Sequence, residues 1–552
     1  MKIVLISYLL LVLAIANPHQ KCKPLRSFFE DVQTIVQAMT LEQKIGQMTQ
    51  GDIPQVFSDD RVDPSKISEY MLGSLLIAAN GAPGPNGEIY SDYTNKEQFR
   101  EGTVENWKKL AELINVPTPI QTPNGTLDVY PLLGTDAVHG NQHVVGEVLF
   151  PHNIGLAATH NPQNFFEAGY HNGASVKASG WNYAFSPTVA ASHNYQWGRF
   201  YESMGADPKM IQEYAAAYVA GIQMPDPISG GLKGVLASVK HFLGDGATYL
   251  GVDEGNATVH DFKSFLDVNM AGYHGGIESC AGNVMCSYSA VNRIPMSINA
   301  ELVEGVLKEE AKFDGFVISD YDEVGKVEGQ GWPTSNIKMD RVDSIANIIN
   351  AGIDMMMLAS TNSAVTIDYY QKTLKGLVES GAVSMDRIND AVTRILAVKK
   401  AMGLITKHGE AVKTTIPEKP VGVPESHESA LKAAQESLVL LENEQETLPL
   451  DFGSYTHIVL MGEREEHEAL PNWQTATTTF QDFDNIGAQN GGWSVAWQGY
   501  NGNFFWANEH KERSHSSSIL DALKARIDTS KTQLLYPTYS NPSDQEAVTQ
   551  ER

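Results

Sequence analysis

Residues 315–320 read GFVISD, residues 235–241 read VLASVKH and residues 283–289 read NVMCSYS. Each is a short apolar run that stops abruptly at polar or ionisable groups. None alternates between apolar and polar positions, as a strand with one wet face would. Both faces are therefore expected to be covered, which is the pattern of parallel strands lying under helices. Working outward, comparable runs occur at 71–79, 127–135, 182–188 and 352–358, with helical stretches between several of them at 162–180, 208–221 and 259–278. This alternation predicts an α/β fold, a (β/α)8 TIM-type barrel rather than an open sheet. Ahead of it, Thr40-Leu41-Glu42-Gln43 has the spacing of a capping box, in which Thr40 and Gln43 satisfy each other's free backbone donors.

The barrel is expected over 30–403. Gly403, Gly409, Pro417, Pro420, Gly422 and Pro424 then interrupt the apolar periodicity, so 404–428 reads as a linker. A second unit, 429–552, follows: a helix at 429–441, a turn at Leu448-Pro449-Leu450, a strand at 457–461 and a polar tail at 529–552 in which no strand is expected. No internal repeat is evident.

Composition narrows the function. The chain has 552 residues, 40 basic and 66 acidic side chains and a formal net charge of −26. An acidic surface without a Lys/Arg cluster repels phosphate backbones, so nucleic acid is not an expected partner. Residues 1–16, MKIVLISYLLLVLAIA, read as a signal peptide, and no later stretch is suited to anchor the chain in a membrane. A secreted protein is expected, with lysosome and vacuole as open alternatives. Asn124 and Asn256 head Asn-x-Thr sequons that fit this route. Of Cys22, Cys280 and Cys286, one pair can form a disulfide, and the spacing leaves the pairing open. No CxxC, HExxH or other metal-ligand spacing occurs, so no metal or cofactor is expected.

Chemistry gathers at the strand ends. Asp136 follows LLGT, Lys240-His241 follows VLASV, Tyr288 follows VMCS, and Asp320 follows GFVIS. In a barrel such tips converge on one face, where active sites lie. Taken singly, each has a plainer reading. Asp320 could cap the next helix, Arg199 could pair with Glu202 at the surface, and His241 could be a satisfied core histidine.

The stretches LLGTDAVHGNQHVVGEVLFPHNIGLAAT (132–159), QWGRFYES (196–203), VKHFLGDG (239–246), VMCSYSAVN (284–292) and KFDGFVISDYDEV (312–324) resemble the barrel domain of glycoside hydrolase family 3. Similarity is strongest to plant and microbial β-glucosidases and exo-β-glucanases. AAQESLVLLENEQETLPL (433–450) and NGGWSVAWQG (490–499) resemble that family's second, α/β-sandwich domain, which makes 429–552 a partial sandwich. The resemblance implies a retaining hydrolase that releases terminal β-linked glucose from oligosaccharides, polysaccharides or glucosides. Asp320 would be its nucleophile, an ionised carboxylate beneath the anomeric carbon. Asp136, Arg199, Lys240, His241 and Tyr288 would hold the hydroxyls of the terminal sugar, where charge-assisted bonds select stereochemistry. Glu254 and Met285 match further pocket positions. Tyr321, where the nearest relatives carry Trp, and Trp497 would clamp the next sugar between two rings, while Trp493 reads as a core residue of the sandwich.

A retaining enzyme also needs an acid/base carboxyl. The resemblance places it in the second domain, beyond residue 552. Glu463 precedes the GGW motif, the wrong order, and reads as part of a solvated acidic run. The loop KHFLGDGATYLGVDEG lacks the Asp-Ser-His triplet of the family's β-N-acetylglucosaminidases. The alternative function is a sugar-binding protein with little or no turnover.

Overall fold

The computed structural model describes residues 23–535 apart from 78–80, 92–95, 227, 329–336, 338, 361–364, 413–420, 461–485 and 500–515. At its centre are eight strands: β1 (Thr49–Asp52), β2 (Ser74–Ile77), β3 (Leu132–Thr135), β4 (Tyr183–Ala184), β5 (Leu236–Phe242), β6 (Asn283–Cys286), β7 (Phe316–Ile318) and β8 (Met356–Leu358). From β1 to β7 each strand pairs in parallel with the next. β8 pairs with β1, placing Met356 opposite Thr49, and a parallel bridge between Ile318 and Met355 joins β7 to β8. The ring closes, as the sequence predicts.

Seven strands coincide with the expected apolar runs, β5 running one residue past its own to Phe242. β1 does not, because TQGD carries no large apolar side chain. All four of its residues are nevertheless buried. Gln50 Nε2 donates to Ser74 Oγ at 2.7 Å and Thr49 Oγ1 to the Ile45 carbonyl at 2.8 Å, so neighbouring groups replace water. The run 127–135 divides into two elements. Gly125–Val129 pairs antiparallel with Thr118–Thr122 and Ile405–Lys407. Pro131, which lacks an N–H for either ladder, separates it from β3.

Helices cover the ring. Thr40 and Gln43 form the expected capping box. Asn161 and Asp207 cap helices Pro162–Ala178 and Pro208–Gln223, each opening with proline at its first position. These two helices approach so closely that a Cβ on Gly169 would lie 2.4 Å from the Tyr218 carbonyl oxygen, and one on Gly221 2.2 Å from that of Phe166. The helix expected at 259–278 is two, Phe262–Asn269 and Ala271–Glu278, meeting at Met270.

Within the stretch read as a linker, Ile405–Lys407 is a strand and Pro424 opens helix Pro424–Glu436. That helix docks on the barrel, where Glu436 Oε2 accepts from Asn164 Nδ2 at 2.8 Å. It ends before the expected 441, and Leu438, Val439, Leu440 and Leu441 are exposed. Strand His457–Val459 pairs in parallel with Gln533–Leu535. The latter lies within 529–552, where no strand is expected. Its Gln-Leu-Leu, short and only half-buried, offers no periodicity to distinguish it from the polar tail around it. Cys280 is disulfide-bonded, and Cys286 is a free, buried thiol in β6. Residues 1–16, Cys22 and Glu463 lie outside the described residues.

Candidate active site

Asp320 lies two residues past the last residue of β7. Its Oδ1 accepts the Tyr321 amide at 2.7 Å, and its Oδ2 lies 3.8 Å from His241 Nε2. His241, in β5, is held from behind: its Nδ1 is 2.7 Å from Asp245 Oδ2, and Ser287 Oγ donates to the other oxygen of Asp245. Burial opposes ionisation of Asp245, but His241, Arg199 and Ser287 hold its pKa below the ordinary value. On its other edge Nε2 lies 3.4 Å from Arg199 Nη2 and faces Asp320. The core-histidine reading therefore describes only one edge of this ring.

Arg199 does pair with Glu202, though not at the surface. Nε and Nη2 donate to the two carboxylate oxygens at 2.7 and 3.0 Å, a bidentate fork around a fully buried Glu202. Thr188 Oγ1 and Trp493 Nε1 donate to the same carboxylate, each at 3.0 Å. Burial pushes the pKa of Glu202 up. Arg199, with help from Lys240 and His241, overrides it and holds the group well below the ordinary carboxylate range.

Across the site, Asp136 follows β3 and lies 3.5 Å from the buried Lys240 Nζ. Burial raises the pKa of Asp136 and the negative charge of Asp320 adds to it, against the pull of Lys240. Lys240 also stands 5.1 Å from the centre of the Trp493 ring, a cation–π arrangement. Tyr288 donates its hydroxyl to the Tyr321 carbonyl, and burial, then the Asp320 charge, raises its pKa well above the ordinary value. Glu254 Oε2 accepts from Lys326 at 2.5 Å, and Lys326 lies 4.4 Å from the Tyr288 ring centre, so Glu254 joins the cluster through a lysine. Met285 is buried in β6, opposite Ile318 in register.

The aromatic residues have three different settings. Tyr321 is tied down by its hydroxyl, which donates to Asp52 Oδ2 at 2.7 Å and accepts the Ser360 amide at 3.2 Å. Trp493, expected in the core of the second unit, is buried against Glu202 and Lys240 instead. Trp497, expected to face the substrate, is 43 % exposed, and its carbonyl accepts the Trp493 amide at 2.9 Å. The two tryptophans are four residues apart in one motif, so no sequence pattern told them apart.

Glu202, Asp245, Asp52 and Trp493 were not singled out from the sequence for this cluster. Two of them had a signal: an Arg at i and Glu at i+3, and a His at i and Asp at i+4, are spacings that suit local ion pairs. The whole arrangement surrounds one carboxylate with cationic donors, acidic acceptors and a tryptophan face. Such a set can position a polyhydroxylated ligand over Asp320.

A closed barrel with an Asp at the tip of β7 and charged groups at the tips of β3 and β5 defines a class, and sequence comparison identifies it. Residues 40–398 match the family described as glycosyl hydrolase family 3 N terminal domain, and the chain belongs to that family. It is 27 % identical to the lysosomal beta glucosidase of Dictyostelium discoideum, over 89 % of this chain and 55 % of that protein. It is 28 % identical to the periplasmic beta-glucosidase of Salmonella typhimurium, over 62 % of this chain and 42 % of that one. The crystal structure of the exo-1,3/1,4-beta-glucanase from a Pseudoalteromonas species superposes with a TM-score of 0.69 at 28 % identity, covering 94 % of this chain and 57 % of that chain. The chain thus spans about half the length of these curated relatives.

Proposed function

We propose that the chain acts on terminal β-linked glucose by a retaining double displacement, with Asp320 as nucleophile. The observation that carries this reading is Asp320 at the tip of β7, its Oδ2 turned toward His241 at 3.8 Å. Family membership and relatives named as β-glucosidases and an exo-glucanase support it.

In the first step Asp320 Oδ2 attacks C1, the bond from C1 to the leaving oxygen breaks with that oxygen taking a proton from water, and a glycosyl ester forms. In the second, water attacks C1, the ester bond to Asp320 breaks, the water's proton passes to solvent, and the carboxylate is freed. Asp136, Lys240, Arg199 and His241 hold the sugar hydroxyls. Lys240 has capacity to spare: an ammonium has three protons, of which Asp136 engages one. A sugar lacking one hydroxyl would leave a charged group unmatched, and selectivity follows from that loss.

An aryl 2-deoxy-2-fluoro-β-glucoside isolates the first step, because its leaving group departs without protonation. The native chain should gain one fluoroglucosyl group, located by mass spectrometry on the peptide carrying Asp320. Asp320→Asn should gain none. Equal labelling of the variant would remove Asp320 from this role.

Delivery through the secretory route rests on residues 1–16 and on the disulfide at Cys280. Asn124 is exposed in the turn between Thr118–Thr122 and Gly125–Val129, a position open to glycan addition. Among the described residues, no helix is long and apolar enough to cross a membrane. Loss of secretion should follow deletion of residues 1–16, and a drop in mass should follow Asn124→Gln in secreted material.

A further inference from the structure

Two loops continue from the ends of β4 and β5 past the site. The first carries Tyr195 and reaches Arg199; the second leaves Asp245 and carries Tyr249, Leu250 and Val252. They are clasped together. Trp197 Nε1 donates to Asp253 Oδ1 at 3.0 Å. Gly251, at φ 70°, lies so close to the first loop that a Cβ there would be 2.7 Å from the Trp197 nitrogen and 2.9 Å from Asn194 Nδ2. Tyr195 and the residues on both sides of Gly251 therefore belong to one surface.

That surface is unusually apolar. Tyr195 is 84 % exposed, Tyr249 67 %, Leu250 62 % and Val252 50 %. Leu250 also sits at φ 57°, in the left-handed region that a leucine disfavours. An apolar side chain shown to water from a strained backbone gives the fold nothing, and this combination marks a binding surface. The ridge is also held in shape: the Tyr195 ring packs on Phe200 at 5.0 Å between centres. Its two loops are the ones whose Arg199 and Asp245 flank His241, which places the ridge beside the route into the site.

We propose that Tyr195, Tyr249, Leu250 and Val252 form an outer platform for the glucosyl units of an extended β-glucan, beyond those flanking the bond that is cut. The reading rests on the glucosidase function proposed above. Equatorial hydroxyls leave a β-glucosyl ring with apolar C–H faces, and these stack on aromatic rings while the hydroxyls remain in water. A neutral chain needs no charged partner, and the four platform side chains carry none.

The test uses the full chain with Tyr195→Ser/Tyr249→Ser and, separately, Leu250→Asn, a residue that tolerates the left-handed backbone. Substrates are 4-nitrophenyl β-glucoside, octyl β-glucoside, laminarihexaose and cellohexaose. Two lost stacking contacts should raise KM for a hexaose about tenfold, leaving the aryl glucoside within about twofold. Equal losses on every substrate would show a structural role and overturn the proposal. So would unchanged hexaose kinetics, or a loss confined to octyl glucoside, which would identify an apolar aglycone instead. If the native chain hydrolyses none of the four, the functional reading fails, and calorimetric titration with soluble laminarin still decides the platform. Native affinity weakened about tenfold in the double variant supports it; identical titrations overturn it.

Discussion

Glu323 lies three residues beyond Asp320, fully buried at the start of helix Glu323–Val327. Its Oε1 accepts Ser297 Oγ at 2.5 Å, while its buried Oε2 meets no hydrogen-bond donor among the described residues. Burial, and secondarily the charge of Asp320, pushes its pKa up to about 8. Between the unfolded value, near 4.5, and that folded value, the native state holds a proton that the unfolded chain has released. This contribution to stability is fully present below about pH 4.5 and is lost as pH rises toward 8. Gln matches the protonated acid in shape and never ionises. Glu323→Gln should leave the melting temperature nearly unchanged at pH 5 and raise it by several degrees at pH 8.5; equal melting curves at the higher pH would refute the assignment. Nothing in SDYDEV marks Glu323 as different from its neighbour Asp322, because burial, not residue type, sets its behaviour. The strand-tip residues were legible for the opposite reason: an ionisable group ending an apolar strand is conspicuous. Glu202 was legible only as a partner for Arg199, and the place of Trp493 beside it was not, since that depends on a distant segment that meets the barrel only in three dimensions.

At the scale of elements, legibility followed side-chain size. Seven barrel strands announced themselves as apolar runs, whereas β1, held by Gln50 and Thr49 through hydrogen bonds, carried no such mark. Helix positions were readable from caps and prolines, but the closeness of helices is set by glycines whose neighbours the sequence does not name. Two glycines separate the effects. Gly376 is exposed in helix Ile367–Glu379, and a Cβ there would meet nothing within 4 Å. Gly376→Ala should stabilise by up to about 1 kcal/mol, the difference in helix propensity. Gly221→Ala gains the same propensity but drives a methyl to 2.2 Å from the Phe166 carbonyl oxygen. Separating two packed helices costs about 1–3 kcal/mol, so the net change should be destabilising. Denaturant midpoints of opposite sign would bear this out; a stabilised Gly221→Ala would mean that the interface yields freely.

Across the whole molecule, the barrel carries buried ion pairs at both ends of its strands, and they are built for different tasks. Asp354 precedes β8, at the end away from Asp320. It accepts Lys308 Nζ at 2.9 Å, the Val317 amide at 2.7 Å and the Arg387 guanidinium. Burial opposes its ionisation, and Lys308 and Arg387 more than reverse that, so its pKa falls below the ordinary value. Glu202 is the counterpart at the other end, clasped by Arg199 and joined to Trp493 from the second unit. Converting either to the amide removes the fully buried carboxylate of its pair, leaving Lys308 and Arg387 only the more exposed Glu304 and Asp390 in the first case, a change costing up to about 3–5 kcal/mol. Asp354→Asn and Glu202→Gln should therefore both unfold at lower denaturant, and both should lose the stabilisation that disappears in acid as the native carboxylate protonates. Their kinetics should part company, because the C-terminal end of a barrel carries chemistry and the other end stability. Folded Asp354→Asn should keep kcat/KM on an aryl β-glucoside within about twofold. Glu202→Gln, which frees Arg199 to move toward His241 and loosens Trp493 over Lys240, should lose about a hundredfold or more, in line with a misplaced positioning group. Equal kinetic losses in the two variants would deny that division of labour, since ion pairs at opposite ends would then be serving one purpose.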